Sequence, residues 1–98
     1  MHKLVESSRA ELDVAGIWAH LSGYGVTVAE RAIKLIEKRY ELIQQFPLAG
    51  EACPQFGEGI RAMPAGNYMI FYRPQDDCVQ VIRVLDGRRD LGRAFWQG

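Results

Sequence analysis

The apolar positions of this chain change rhythm midway, and each rhythm predicts a different kind of element. Near the start, Ala10, Val14, Ile17 and Leu21 recur at spacings of four, three and four, which puts them on one face of a helix. Ser8-Arg9-Ala10-Glu11 has the S-x-x-E form of a capping box at its start. "SGYG" (22–25) ends it, since glycine accepts the left-handed turn that closes a helix. A second box, Thr27-Val28-Ala29-Glu30, opens the next stripe: Ala29, Ile33, Ile36, Tyr40 and Ile43, widened by Leu35 and Leu42. Glu37, Lys38 and Glu41 fall on the solvent side, and Pro47 stops the helix near Phe46. So short a connection makes the two helices an antiparallel hairpin. Ahead of them, "HKLVE" reads as a short first strand with Leu4 pointing inward.

After Pro47 the helical rhythm is gone. Residues 50–59 hold four glycines and prolines and read as an irregular loop. Gly59–Met63 reads as a strand, Pro64–Asn67 ("PAGN") as a hairpin turn with Gly66-Asn67 suited to positive φ, and Tyr68–Arg73 ("YMIFYR") as a central strand. "PQDD" turns the chain again, and Cys78–Leu85 is the last strand. The order β-α-α-β-β-β predicts an α+β fold in one domain, 1–98. Its helical hairpin packs on one face of a small antiparallel sheet and leaves the other face uncovered.

Composition narrows the function. The chain has 98 residues, 48% hydrophobic and 24% charged, as a folded globular domain does. Its 12 basic residues match its 12 acidic ones, which excludes a general nucleic-acid coat and predicts no direct nucleic-acid binding by the chain alone. Charge is unevenly spread, however. Residues 1–59 carry 6 basic and 8 acidic side chains, while residues 60–98 carry 6 basic and 4 acidic. All six basic residues of that second part are arginine: Arg61, Arg73, Arg83, Arg88, Arg89 and Arg93. "MHKLVESSRAEL" lacks the apolar centre of a secretion signal, and no stretch approaches the ~20 apolar residues of a membrane span. A cytoplasmic protein with no membrane association is predicted, with Cys53 and Cys78 as reduced, partly buried thiols outside any metal site.

Candidate chemistry concentrates in "VIRVLDGRRDL" (81–91). Three arginines and two aspartates fall within Arg83–Asp90. Arginine forks onto carboxylates and phosphates but stays charged, so it is a poor proton carrier. The histidines, His2 and His20, lie far from this run in sequence and read as surface residues, and Trp18 as a residue at the core edge. Tyr68 and Tyr72 could move protons only with heavily perturbed pKa values. No serine, cysteine or histidine arrangement suggests a nucleophile, and no glycine pattern suggests a phosphate loop. The expectation is a binding protein with no catalytic residue, cofactor or metal. Arg61, Arg83, Arg88 and Arg89 face a partner, Asp90 orients an arginine or supports the turn, and Trp96 is an apolar anchor. The rival reading of the arginine run is an ordinary Arg–Asp network.

"AELDVAGIWAHL" (10–21), "AIKLIEKRYELIQQFPLAG" (32–50), "GIRAMPAGNYMIFYR" (59–73) and "VIRVLDGRRDL" (81–91), in this order and spacing, resemble the ParE branch of the RelE/ParE toxin superfamily. The resemblance implies a type II toxin that inhibits DNA gyrase and is neutralised by a ParD-like antitoxin. RelE-like relatives instead cut mRNA in the ribosome, through basic and proton-transferring residues on the sheet and in the C-terminal segment. Here lysine is absent after Lys38, histidine after His20 and tyrosine after Tyr72, which favours the gyrase branch. The alternatives are a ribosome-dependent mRNA endonuclease and a degenerate toxin kept as an antitoxin-binding partner. Asp86 stands where the family often carries histidine, a departure that bears on toxicity.

Overall fold

The computed structural model describes residues 1–97. Strand β1 (Lys3–Glu6) leads into helix α1 (Ser8–Ser22) and helix α2 (Val26–Gln45), followed by β2 (Glu51–Ala52), a 3-10 turn (Pro54–Phe56), β3 (Arg61–Ala65), β4 (Tyr68–Pro74), β5 (Cys78–Asp86) and helix α3 (Leu91–Trp96). The sheet runs β1-β5-β4-β3-β2. It is mixed rather than purely antiparallel, because β1 lies parallel to β5 while the remaining pairs are antiparallel. A parallel neighbour needs a crossover, and the helical hairpin supplies it. Among the described residues no helix is long and apolar enough to cross a membrane.

The predicted stripes face the sheet. Ala10 and Ile17 of α1, with Ala29, Ile36 and Ile43 of α2, are buried. Most of them join Ile70, Tyr72, Val79, Val81 and Val84 in the main core. The caps differ from the sequence reading. Ser7, not Ser8, is the N-cap of α1, its Oγ accepting from the Ala10 N–H at 3.0 Å. The same hydroxyl donates to the Ile82 carbonyl at 2.7 Å, so the residue that can bond both helix and sheet takes the cap. Helix α2 has Gly25 as its N-cap, with φ +126° and no side-chain cap bond. Thr27 is already helical, so its box does not form. Gly23 closes α1 in ordinary right-handed geometry, and the positive φ of "SGYG" serves entry into α2 instead.

Tyr72 locks the α2–β2 connection. Its side chain is fully buried, and its hydroxyl donates to the Pro47 carbonyl at 2.8 Å while accepting from the Gly50 N–H at 2.8 Å. Gly50 is required there because a Cβ would come within 2.7 Å of both the Tyr72 hydroxyl and the Ala62 carbonyl. Arg61 adds a second lock, donating to the Leu48 and Gly50 carbonyls at 3.2 and 2.7 Å.

The face opposite the hairpin was expected to be open. Instead α3 and the 3-10 turn cover part of it, burying Ala94 and Phe95 against Ile60, Ala62, Phe71 and Leu85. Phe56, Phe71 and Phe95 meet with ring centroids 4.8–5.3 Å apart, a spacing typical of favourable tilted aromatic packing. The C-terminal segment Leu91–Trp96 is thus a capped helix. Asp90 is its N-cap, accepting from the Arg93 N–H at 3.2 Å.

Replacing Tyr72 with Phe removes both hydroxyl bonds and leaves the buried Gly50 N–H without its partner. Urea denaturation of Tyr72→Phe should show a loss of about 1–3 kcal/mol, and unchanged stability would show that the connection is held by packing alone.

Candidate functional site

A β-bulge falls just before the arginine run. Val81 pairs with Tyr72 and Arg83 pairs with Phe71, so Ile82 is the extra residue. Before the bulge Val79 and Val81 face the hairpin; after it Val84 does, while Leu85 turns to the α3 side. The bulge falls where β1 has ended and the edge of β5 would be bare. Side chains at the start of α1 and in its first half complete that edge. Beside the Ser7 hydroxyl, Asp13 Oδ2 accepts from the Val84 N–H at 2.9 Å.

Arg83 is built into this edge. Its Nε and Nη2 donate to the two Asp13 oxygens at 2.8 and 2.9 Å, a bidentate pair. Its Nη1 donates to the Ala94 and Phe95 carbonyls at 3.1 and 3.0 Å, where the last carbonyls of α3 lack helical donors. The side chains of Arg83 and Asp13 are only 11% and 14% exposed. Hydrogen bonding to Asp13 raises the Arg83 pKa further. The expectation that Arg83 faces a partner is therefore corrected: one guanidinium joins α1, β5 and α3. Arg61, half-buried, holds the α2–β2 connection. It pairs in register with Tyr72, near the other end of β4 from the Tyr68–Asp86 pair. Arg61 therefore does not join Arg88 and Arg89 in a phosphate cradle.

Arg88, Arg89 and Trp96 remain at the surface. Arg88, 72% exposed, forks onto Asp86 at 2.8 and 3.0 Å. This bond, with the Arg88 backbone N–H, holds the Asp86 carboxyl down at about 2. The Arg89 side chain is exposed and lines a groove of about 360 Å³ between α1 and the end of β5, together with Leu12, Asp13, His20 and Tyr68. Trp96 is 68% exposed and meets Phe95 edge-on at 4.9 Å. Asp90 caps α3 with its side chain.

Tyr68 and Tyr72 both have raised pKa values, chiefly through burial; Asp86 adds to the effect at Tyr68. Trp18 stands 40% exposed on α1 rather than at the core edge. His20 is exposed, whereas His2 is half-buried with Nδ1 3.2 Å from the Gln44 carbonyl. Among the described residues no group of three or more His, Cys, Asp or Glu side chains is arranged to hold a metal ion.

Asp13 was not singled out from sequence, although a signal was present. It lies three residues after Ala10 and four before Ile17, inside the apolar stripe of α1. A charge on a buried face needs a partner.

Comparison with known proteins places these features in a family. A family model described as ParE toxin of type II toxin–antitoxin system, parDE, matches residues 5–91. Toxin ParE1 of Mycobacterium tuberculosis is 29% identical over 89 residues, covering 89% of this chain and 91% of the relative. Toxin ParE3 of Caulobacter vibrioides is 30% identical over 67 residues, covering 68% and 67%. A solved chain of the chromosomal ParDE system from P. aeruginosa superposes with a TM-score of 0.74 at 21% identity, covering 88% of this chain and 96% of that one.

Two outcomes follow from the geometry. Asp13→Ala strands a poorly exposed guanidinium and the Val84 N–H, so chemical denaturation should show a loss of about 3–5 kcal/mol. Asp13→Asn, which keeps an acceptor, should lose less, and equal losses would refute the pairing. The Asp86 carboxyl should titrate near 2 by NMR and move toward about 4 in Arg88→Ala. Since pairing lowers its pKa in the folded state, its stabilisation is present above about 4 and lost as pH falls toward 2. An Asp86 titration unmoved by Arg88→Ala would overturn the assignment.

Proposed function

The chain belongs to the ParE toxin family of type II toxin–antitoxin systems, and on that premise we propose that it arrests growth by binding DNA gyrase in the cytoplasm and is neutralised by a ParD-like antitoxin. The observation that carries this reading is the division of labour among the arginines. Arg61 and Arg83 hold the fold together, whereas Arg88 and Arg89 remain exposed. Beside them α3, placed by Asp90 and by the Arg83 clamp, presents Trp96. Arginine and tryptophan are the side chains most often found to dominate protein–protein binding energy. Arg88, Arg89 and Trp96 are the proposed target contacts, with Asp90 and Arg83 setting their geometry.

Action by binding, without a tyrosine-catalysed step, is supported by the state of the two tyrosines of β4; His20, exposed in the groove beside Arg89, is tested by the mRNA outcome below. Phosphodiester cleavage asks for a group that exchanges a proton near neutral pH. Tyr68 and Tyr72 are shifted away from that range, and the Tyr72 hydroxyl is already committed to Pro47 and Gly50.

Expression of the chain alone in a bacterial host should arrest growth with cleaved DNA–gyrase complexes and an SOS response, leaving mRNA intact. Trp96→Ala and Arg89→Glu should each weaken that arrest at least tenfold in inducer titration while keeping the wild-type denaturation midpoint. Ribosome-dependent mRNA cuts would establish the endonuclease reading instead, and no growth effect would establish the degenerate one.

A further inference from the structure

The two helices of the hairpin differ on the side turned to solvent. In α2 that side is charged. Glu30, Arg31, Lys34, Glu37, Lys38 and Glu41 are all exposed, as on an ordinary surface helix. In α1 it is not. Away from the buried Ala10 and Ile17, the exposed positions are Leu12, Ala15, Gly16, Ala19 and, just past the helix, Gly23. Their spacings of three and four put them on one side. Residues 14–29 contain no Asp, Glu, Lys or Arg. The larger side chains there are apolar and open to solvent: Leu12, Tyr24 and Val26 stand 70%, 72% and 57% exposed, with Trp18 at 40% on the flank.

Gly16 adds an independent observation. A glycine inside a helix is less stable there than an alanine, and a Cβ at Gly16 would meet nothing within 4 Å. No contact within the chain calls for the glycine, whereas a second backbone brought close from outside does. Tyr24 is held in place as well, its ring meeting that of His20 edge-on at 5.7 Å. The chemistry of the face limits what can cover it. It offers no cation to a phosphate backbone or an anionic lipid surface, and no ion for a charged peptide to pair with. It fits an uncharged helical surface, and a second copy of α1 is one. In a two-fold contact the residues near the axis meet their own copies, so a charge there would be set against itself. The uncharged run from Val14 to Ala29 meets that condition.

We propose that the chain self-associates through the outward face of α1. Two copies of the helix cross about a two-fold axis at Ala15 and Ala19, Gly16 lets their backbones approach, and Leu12 and Tyr24 close the ends of the contact. A helix of 15 residues is about 22 Å long, which is small beside the roughly 800 Å² per partner of a standard stable interface. The dimer is therefore weak and concentration-dependent, with a dissociation constant of roughly 10–100 μM. This inference rests on neither the target reading nor the antitoxin reading.

The test uses the purified full chain, labelled with 15N, in sedimentation equilibrium and in NMR across a dilution series. The expected result is a monomer–dimer equilibrium with concentration-dependent chemical shifts centred on residues 12–24. Ala15 is exposed and tolerates other good helix formers. Ala15→Lys and Ala15→Glu should each weaken association at least tenfold, and an equimolar mixture of the two should restore a mixed dimer. Gly16→Ala should act in two opposite directions. The dilute monomer should unfold at a higher denaturant concentration, because the added Cβ meets open space, while association weakens several-fold because the backbones no longer meet. A merely structural role for Gly16 would not produce that opposition. A chain that stays monomeric up to about 1 mM, a dimer indifferent to Ala15→Lys, or a mixture no tighter than its components would each overturn the proposal. Shifts at residues 15–19 produced by the antitoxin and not by concentration would assign the face to that partner and overturn it too.

Discussion

The pair formed by Asp13 and Arg83 is the contact on which the placement of the other parts depends. Strand β1 covers β5 only as far as Val81, so the second half of the longest strand has no neighbour on that side. Asp13 supplies the missing acceptor at Val84 and fixes the Arg83 fork, which in turn ties down the last carbonyls of α3. Two partly shielded charges are costly unless every donor and acceptor is used. Here both carboxylate oxygens and all three guanidinium nitrogens are engaged, and the described residues hold no buried side-chain polar atom without a partner. The pair thus serves to specify position. It sets the angle of α1 against β5 and keeps α3 on the aromatic cluster, so the exposed face of Trp96 depends on a carboxylate in the first helix.

Much of this was legible in the sequence, and the reasons differ by element. The two stripes of the hairpin could be read because their 3.6-residue period persists over several turns. "YMIFYR" could be read because β-branched and aromatic density survives any register. The ladder beyond Val81 could not. Its bulge depends on what borders β5, and that depends on β1 ending at Glu6 and on Ser7 reaching Ile82. Alternation alone puts Arg83 on a face but says nothing of what covers the face. Helix α3 escaped because six residues are too few for a periodic signal; only Asp90 marked its start. Asp13 was readable in principle, as a charge inside an apolar stripe, but its partner lies 70 residues away.

The chain also shows how one composition serves two purposes. Arginine is suited to both because its planar fork holds several carbonyls or one carboxylate without losing its charge. Arg61 and Arg83 act as cross-links between segments distant in sequence, in a chain with two free cysteines and a modest core. Arg73 does the same on a smaller scale, donating to the Glu58 carbonyl at 3.1 Å across the turn before β3. What separates framework arginines from surface ones is where the backbone bends. Those on strands find carbonyls left unpaired by loops and helix ends. Among the described residues Arg88 and Arg89, on the loop after β5, have one hydrogen-bonded side-chain partner, Asp86, which binds the Arg88 guanidinium.

Asp86 is the joint between the two groups. It closes the β4–β5 ladder opposite Tyr68, accepts from the Arg88 side chain and backbone, and offers its own carbonyl to the Arg89 N–H at 3.1 Å. An imidazole at this position would give up the carboxylate fork and free Arg88. The acid does the reverse: it orders the loop and withdraws one cation from the surface, leaving Arg89 as the unpaired one. The groove lined by Arg89 ends at this loop, and α3 begins directly after it. The charge either surface can offer a partner is therefore set by how much of Arg88 the Asp86 carboxylate retains, and a carboxyl held near 2 retains it across the whole physiological pH range.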